Sequence, residues 1–422
     1  MRRARPGRAF SAAPPPGSGP LRAVLAHGSF TRFLCARFAG SLAVQMQTVA
    51  VGMQVYQLTH DPLDLGLIGL SQVVPFLLFV LLAGQAADRL DRKRIVVACF
   101  ALLLLCSVAL AGLTRTGLRA PWPVFAVMVV FGAARAVMAP ASQALMPNLV
   151  PVALFGNAVG VNSAMWQVAT IAGPAIGGIL YAHAGPGAVY AAVALLLAVA
   201  VGATASITAP AQAPPAAPVS WHTLVEGLRF VWRRHSVLGA ISLDLFAVLF
   251  GGATALLPAF ATDVLGIGVQ GLGWLRAAPG VGAALMAAAL SVWPISRHAG
   301  RAMFAGVAVF GVATIVFGLS RSFAVSLVAL AVLGAADMIS VFVRHLLVQL
   351  ETPDAMRGRV GAVSWMFIGA SNELGEFESG LTAAWWGLVP AVVAGGAATL
   401  LVAWAWARWF PQLRRLDRFP GS

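Results

Sequence analysis

Charged residues are scarce in this chain of 422 residues: only 10% are charged, while 59% are hydrophobic. A soluble domain carries about 25% charged residues, and a soluble domain of this size needs a polar surface that this chain cannot supply. The composition therefore excludes one soluble domain, a disordered protein and a fibrous one. Twelve membrane-spanning helices would use about 240 apolar residues, at about 20 per helix. The chain is long enough for these and their loops, which favours an all-α membrane protein with many spans.

Several kinds of chemical site are also missing. The three cysteines, Cys35, Cys99 and Cys106, have neither the spacing of a disulfide framework nor that of a CxxC metal site. No G-x-x-x-x-G-K-[ST] motif occurs, which argues against ATP-driven pumping. The histidines lack metal or haem spacing, and no nucleophile has a base beside it. We therefore expect no enzyme activity, no cofactor and no metal site.

The charge is strongly biased, with 28 basic and 14 acidic residues and a net charge of +14. In a soluble protein this would suggest nucleic-acid binding, but nothing resembles an aromatic-plus-basic strand or a recognition helix, so no nucleic-acid partner is expected. In a membrane protein, Lys and Arg mark the cytoplasmic loops. With the N-terminus inside, only Arg115, Arg119 and Arg321 fall in outside loops. Both termini are therefore predicted to be cytoplasmic, in a protein of the cell inner (plasma) membrane.

Twelve apolar segments divide into two halves. The predicted spans are 33–56, 65–87, 95–113, 121–143, 155–182, 188–207, 237–261, 271–293, 302–319, 323–350, 360–385 and 388–409. Residues 1–32 are predicted to form a disordered cytoplasmic tail, 33–207 a six-helix bundle, 208–236 a cytoplasmic linker, 237–410 a second six-helix bundle, and 411–422 a cytoplasmic tail. The linker begins with a Pro/Ala stretch that excludes a helix interior. It continues as an amphipathic helix from Trp221 to His235.

The loop after the second span has a specific pattern. Its residues are Gly84, Asp88, Arg89, Arg92, Lys93 and Arg94. The pattern resembles the helix 2–3 signature of the major facilitator superfamily, roughly G-x-x-x-D-R-x-G-R-K/R, with Asp91 in place of the second Gly. Asp tolerates a left-handed turn better than most residues, so we expect the turn to survive. The resemblance implies a gating loop that locks the outward-facing state, with Asp88 near the start of the eleventh helix; a plain positive loop is the alternative.

The fifth span carries a second pattern, formed by Gly160, Gly173, Pro174, Gly177 and Gly178. It resembles the antiporter motif of the same superfamily, with Ala169 in place of one Gly. Small residues at this spacing let a neighbouring backbone approach closely, and Pro174 lets the helix bend. The resemblance implies export more than import, and a generic helix contact is the alternative.

Longer stretches, such as FGAARAVMAPASQALMP and SNELGEFESGLTAAWWG, resemble the branch of this superfamily that includes the bacterial enterobactin exporter. The resemblance covers almost the whole chain. It implies two pseudo-repeated six-helix halves, the major facilitator fold, which rock about a central site.

Charged residues within the spans are candidates for proton coupling. An acid at mid-bilayer costs about 2.5–3.5 kcal/mol, so the acids of the eleventh span must face a cavity or partners. Glu373 and Glu376 share a face of the helix, while Glu378 points away. Asp244 and Arg344 both lie about 10 Å from the same end of the bundle at 1.5 Å per residue. We predict that they pair and that Asp337 joins them, either for proton coupling or as a static ion-pair network.

The resemblance adds Arg135, which matches a membrane-embedded Arg of the family that is implicated in proton release; an arginine that reaches toward the interface is the alternative. Trp166, Trp365 and Phe367 lie on helices that line the cavity in this superfamily, and they are candidates for contact with an aromatic or lipophilic substrate. Most other tryptophans are simpler to interpret as interfacial anchors.

The sequence thus predicts a secondary transporter that acts as a monomer in the lipid bilayer. We expect a proton antiporter that exports a siderophore or a lipophilic, drug-like small molecule by alternating access. An importer or a lipid or lysophospholipid flippase of the same fold is one alternative. A transport-inactive sensor or scaffold is another.

Overall fold

The computed structural model describes residues 20–208, 221–295, 297–353 and 356–417, and these form helices joined by turns. The long helices are α1 Gly28–Thr59, α2 Pro62–Arg89, α3 Arg92–Arg115, α4 Trp122–Leu145, α5 (155–184) and α6 (186–205) within the continuous run Phe155–Ala205, α7 His235–Phe250, α8 Gly268–Val292, α9 Ala299–Leu319, α10 Phe323–Glu351, α11 Arg357–Trp386 and α12 Leu388–Trp409. After Phe250, short irregular helical turns continue the direction of α7 to Val264.

Nine helical segments of the described chain are long and apolar enough to cross a membrane. One of them, Val152–Ala205, is 54 residues long and contains both α5 and α6. The two parts separate at Gly185, whose φ of 77° suits a residue that lacks a Cβ atom. Helices α1 and α11, with 32 and 30 residues, complete the set by length. The fold is therefore consistent with the twelve predicted spans in two six-helix halves.

The N-terminal boundary differs from the prediction. Helix α1 begins at Gly28 rather than at residue 33, and a short helix, Pro20–Leu25, precedes it. The predicted disordered tail is therefore wrong for residues 20–32, while residues 1–19 lie outside the described part of the chain. The physical reason is burial, because Val24 and Phe30 pack into an apolar cluster with Leu149 at the end of α4.

The linker contains the predicted surface helix, here Trp221–Arg233, and α7 begins two residues later at His235. Residues 209–220, most of the Pro/Ala stretch, lie outside the described residues. The linker helix packs against the start of α11, where the Arg359 guanidinium donates to the Glu226 carboxylate. At the C-terminus, part of the predicted tail forms a short helix, Pro411–Arg414, and residues 418–422 are not described.

In the described residues, close backbone packing joins the two halves, α1–α6 and α7–α12, at three places. We call the end of the bundle that carries the linker helix the linker face, and the opposite end, with the α1–α2 turn at His60, the hairpin face. Helices α2 and α11 pack closely where Gly66 lies against Gly380. Helices α5 and α8 meet at Gly178 and Gly273, and α1 meets the turns after α7. All three contacts lie between the hairpin face and the middle of the bundle.

Three glycines near the linker face take no part in this close packing. A Cβ atom added at Gly156 or Gly160 of α5, or at Gly361 of α11, would meet no heavy atom of the described residues within 4 Å. By contrast, a Cβ at Gly178 would lie 2.8 Å from the Cα of Gly273. The halves are therefore closed against each other at the hairpin face.

Candidate functional site

A polar cluster at mid-depth joins the two halves of the bundle. Arg135 of α4 donates from Nη1 to Oε1 of Gln72 on α2 at 2.9 Å. The same Nη1 lies 3.5 Å from Oε1 of Glu373 on α11, in the other half. The Arg135 side chain is 40% exposed and that of Glu373 is 19% exposed. The pair is therefore neither sealed in the core nor open to bulk water, and it connects the halves through one arginine.

A second, looser pair lies beside the first. Nη2 of Arg276 on α8 lies 4.0 Å from Oε1 of Glu376, one turn along α11 from Glu373. Together the two arginines and two glutamates are electrically neutral. This bears out the prediction that the two glutamates face partners rather than lipid. Glu378, which points away from them, is in no ion pair with any residue of the described chain.

Small residues bring α11 close enough to its neighbours for these contacts. A Cβ on Gly69 of α2 would lie 2.8 Å from the Cβ of Glu376. On its other side, α11 approaches α7 so closely that a Cβ on Gly375 would lie 2.9 Å from the carbonyl oxygen of Leu249. Side chains at these positions would push α11 outward, since backbone atoms cannot give way. The glycines therefore determine the depth and direction at which the glutamates meet the arginines.

The predicted pair of Asp244 and Arg344 is present within the second half. Nη1 of Arg344 lies 2.9 Å from Oδ2 of Asp244, and the side chains are only 3% and 5% exposed. Asp337 and Ser340 line a cavity of about 10 Å³ together with Asp244. Such a cavity is close to the smallest that can hold one water molecule. A part in proton coupling stays a prediction for these residues.

The antiporter-like pattern of α5 faces two helices. Gly173 and Gly177 face α1, where an added Cβ would lie 2.5 Å from the Cβ of Gln45 and 3.0 Å from the Cα of Met46, respectively. The other side of α5 contacts α8 across the boundary between the halves.

On that side, a Cβ on Gly273 of α8 would lie 2.7 Å from the carbonyl oxygen of Pro174, and Gly178 lies against Gly273 itself. Closer to the linker face, Nε2 of Gln167 on α5 donates to the carbonyl oxygen of Gly280 on α8 at 2.7 Å. Gly160 has open space around it and is in none of these contacts. Within the pattern, Pro174 and Gly178 thus pack across the boundary, while Gly173 and Gly177 pack inside the first half.

The loop between α2 and α3 differs from the predicted turn. Asp91 has φ −62° and ψ 110°, which is extended and not left-handed. Its carboxylate caps α3 by accepting from the backbone amides of Lys93 and Arg94, at 2.9 and 3.3 Å. The expectation of a left-handed turn at Asp91 is therefore wrong, because a helix starts immediately after it and Asp is a favoured N-cap.

The other gating-loop candidates are only partly described. Arg92 donates from Nη1 to the carbonyl oxygen of Ala144 at the end of α4, at 3.1 Å. Gly84, Asp88 and Arg89 belong to the helical backbone of α2, and their side chains lie outside what the structure describes. The predicted approach of Asp88 to the start of α11 stays a prediction.

The structure describes the side chains of two of the three aromatic candidates. Trp166 on α5 is 50% exposed. Phe367 packs instead on an apolar cluster at the linker face with Val348 and Val363. Its contact with a substrate stays a prediction. The side chain of Trp365 lies outside the described residues.

Sequence reasoning missed several polar residues. Gln72 was not singled out and Arg276 was not assigned. At the hairpin face, the Tyr56 hydroxyl at the end of α1 donates to the Asp263 carboxylate beyond α7. The centroids of the Tyr56 and His60 rings lie 5.8 Å apart. A polar side chain inside an otherwise apolar span was the available signal, because such a residue is costly in lipid.

Known proteins are similar to this chain in sequence and in fold. The chain is 25% identical over 343 residues to the enterobactin exporter EntS of Escherichia coli O1:K1 / APEC, covering 80% of this chain and 81% of that protein. A bacterial homologue of the human lysosomal transporter Spinster, in an inward-facing and unoccupied conformation, superposes with a TM-score of 0.71 at 14% identity, covering 96% of this chain and 100% of that one. A D-xylose–proton symporter gives 0.71 at 13% identity, covering 91% and 98%.

The structural similarities show a fold shared with these two transporters. The sequence profile described as transmembrane secretion effector matches residues 19–419, nearly the whole chain. The chain therefore belongs to the transmembrane secretion effector family of the major facilitator superfamily and is a multi-pass membrane transporter of small molecules.

Proposed function

We propose that this protein is a proton antiporter that exports a small molecule by alternating access. The observation that carries the proposal is the Arg135–Glu373 pair, which joins the two halves at mid-depth with both side chains partly exposed. Similarity to a protein named as an exporter supports the direction. The packing of α5 against α8, through residues of the antiporter-like pattern, supports it as well.

The proposed membrane orientation places the linker face in the cytoplasm. Most basic residues of the described loops lie at that face, while Arg115, Arg119 and Arg321 lie at the other, and Lys and Arg favour the cytoplasmic side. Because the hairpin face is closed, we propose that this conformation is inward-facing and that the cluster is reached from the cytoplasm. Both termini are cytoplasmic in this orientation, in the inner membrane.

An exchanger must change conformation when it carries either ligand and must stay in place when empty, because movement of the empty form would uncouple the two fluxes. A single ion pair between the halves can prevent the empty form from changing conformation. With Glu373 ionised and no substrate present, the pair holds the hairpin face closed. A proton on Glu373, or a substrate group that competes for Arg135, breaks the pair and lets the halves rock.

Glu376 of α11 and Arg276 of α8 form their own pair within the second half. Their opposite charges keep the cluster neutral in the locked form. The Asp244–Arg344 pair has a different place in this proposal. It lies within one half, so its titration changes no contact between the halves. We assign it, with Asp337, to the stability of the second half.

The proposed substrate is a siderophore of the catecholate kind or another lipophilic, aromatic molecule. Its support is the substrate for which the exporter relative is named, enterobactin, and the half-exposed ring of Trp166 on α5. The protein is proposed to act as a monomer, because each chain contains both halves and the complete cluster.

The test uses purified protein in liposomes with an imposed pH gradient. A catecholate siderophore and a lipophilic cation are each added, while an internal dye reports proton movement and labelled substrate reports uptake. We expect opposite fluxes of proton and substrate in the wild type, and loss of their coupling in Glu373→Gln. Glu378→Gln is the matched control on the same helix and should retain coupling. Uptake without proton movement, or equal behaviour of both variants, would contradict antiport through Glu373.

A further inference from the structure

A groove at the linker face lies apart from the central cluster, at the turn between α8 and α9. Its volume is about 530 Å³. Its lining combines basic and apolar side chains: Trp293, Ile295, Arg297, His298, Arg301 and Ala305. The same small stretch of chain thus offers two guanidinium groups, an imidazole and an apolar wall.

The two arginines have no acidic partner in the part of the chain that the structure describes. Among the ion pairs of the described residues, neither Arg297 nor Arg301 appears, so no described carboxylate lies within 4.0 Å of their side-chain nitrogens. The nearby acid, Asp417, contacts the imidazole residue of the groove and neither arginine. Its Oδ1 accepts from the backbone amide of His298 at 3.2 Å and lies 3.5 Å from Nε2 of that ring. The groove is therefore cationic overall.

The position of the groove indicates the kind of anion. Trp293 ends α8 with 76% of its surface exposed, beside Val292 at 66%. An exposed tryptophan at the end of a membrane-spanning helix marks the level of the lipid headgroups. Ile295 and Ala305 extend the lining on the apolar side. A ligand that fits has a negative group at headgroup depth and a hydrocarbon part that continues into the bilayer.

We propose that this groove binds the headgroup of an anionic phospholipid, with its phosphate held by Arg297 and Arg301 and its glycerol and upper acyl chain against the apolar side. A phosphodiester carries one negative charge and several acceptor oxygens, which suit guanidinium groups. Free phosphate would use the arginines alone and leave the apolar wall without a function. The site does not depend on the direction of transport.

The test measures lipid binding to the full-length protein in a neutral detergent by native mass spectrometry. Phosphatidylglycerol is titrated against phosphatidylcholine with the same acyl chains, and glycerol 3-phosphate supplies the charge without the chains. The variant Arg297→Gln/Arg301→Gln is compared with Arg115→Gln/Arg119→Gln, which removes two arginines at the hairpin face. Arg297→Lys/Arg301→Lys retains the charge, and Arg301→Gln alone serves if the double variant does not fold.

We expect phosphatidylglycerol to bind in preference to phosphatidylcholine. The affinity for phosphatidylglycerol should fall about 5-fold when one arginine is replaced and about 30-fold when both are. Each basic residue near an anionic lipid contributes about 1 kcal/mol of binding free energy, which corresponds to about 5-fold in affinity. The hairpin-face control and the Lys variant should retain most of the affinity. Equal binding of the two lipids, unchanged affinity in the Gln variants, or equally strong binding of glycerol 3-phosphate would overturn the proposal. The arginines would then serve only to orient the chain or to bind a soluble anion.

Discussion

Replacing Glu373 by Gln removes the carboxylate that joins α11 to Arg135 across the two halves. The charged atoms lie 3.5 Å apart, and two unit charges at about 4 Å attract by roughly 4 kcal/mol at the effective dielectric constant of a protein surface. Desolvation and the 40% exposure of the arginine reduce this. The net contribution should be about 1–2 kcal/mol, between those of exposed and buried pairs. The conformation closed at the hairpin face should lose stability by this amount.

The expected result is a population shift of about 5- to 30-fold toward conformations open at the hairpin face. Spin labels at Arg119 and Arg321, two exposed positions on opposite halves at that face, report the shift as a longer distance in pulsed electron-spin measurements. The native cysteines are first replaced. Glu378→Gln is the control, because it changes the same chemistry on the same helix without touching Arg135. An unchanged distance distribution in Glu373→Gln would refute the assignment of the pair as a lock.

Three further perturbations test other contacts. Gly178→Ala places a methyl group 2.8 Å from the α8 backbone and should weaken closure by about 1–3 kcal/mol, whereas Gly202→Ala, with open space around it, should leave the same spin-label distances unchanged. Asp244→Ala leaves the buried Arg344 without its partner and should lower the free energy of unfolding by about 3 kcal/mol, measured by thermal unfolding. Adding Arg344→Met removes the unpaired charge and should restore most of the lost stability. If the double variant is no more stable than Asp244→Ala, an uncompensated charge is not the cause. Tyr56→Phe removes a hydrogen bond to a carboxylate at the hairpin face and should favour opening by about 2 kcal/mol, so identical distances in this variant would show that the bond closes nothing.

Part of the site could be predicted from the sequence, because the depth of a residue in the membrane follows from its position along a membrane-spanning helix. Asp244 and Arg344 were paired by counting residues from the ends of their spans, and the structure places them 2.9 Å apart. Glu373 and Glu376 were placed on one face by helical periodicity, and both have partners. One wrong expectation concerns local geometry, because Asp91 caps a helix instead of forming a left-handed turn.

The identity of the partners across the boundary was not available from the sequence. Arg135 and Glu373 lie far apart in the chain, in different halves, and their distance depends on the rotation of α4 and α11 and on which face of the bundle is closed. The glycines of α2, α5, α8 and α11 were visible as small residues, but which pairs meet depends on packing. Gly160 and Gly178 belong to one pattern, yet only Gly178 contacts the other half.

The sequence by itself determined that this chain crosses a membrane many times in two halves. The length of each apolar segment decides whether it spans the bilayer, and the distribution of arginine between the loops decides the orientation. Only the tertiary structure decided which charges neutralise each other, and that Arg297 and Arg301, at the turn between α8 and α9, have no acidic partner among the described residues. That choice depends on distances of a few ångströms between helices remote in the chain. Helix packing determines such distances, and no periodicity in the sequence encodes them.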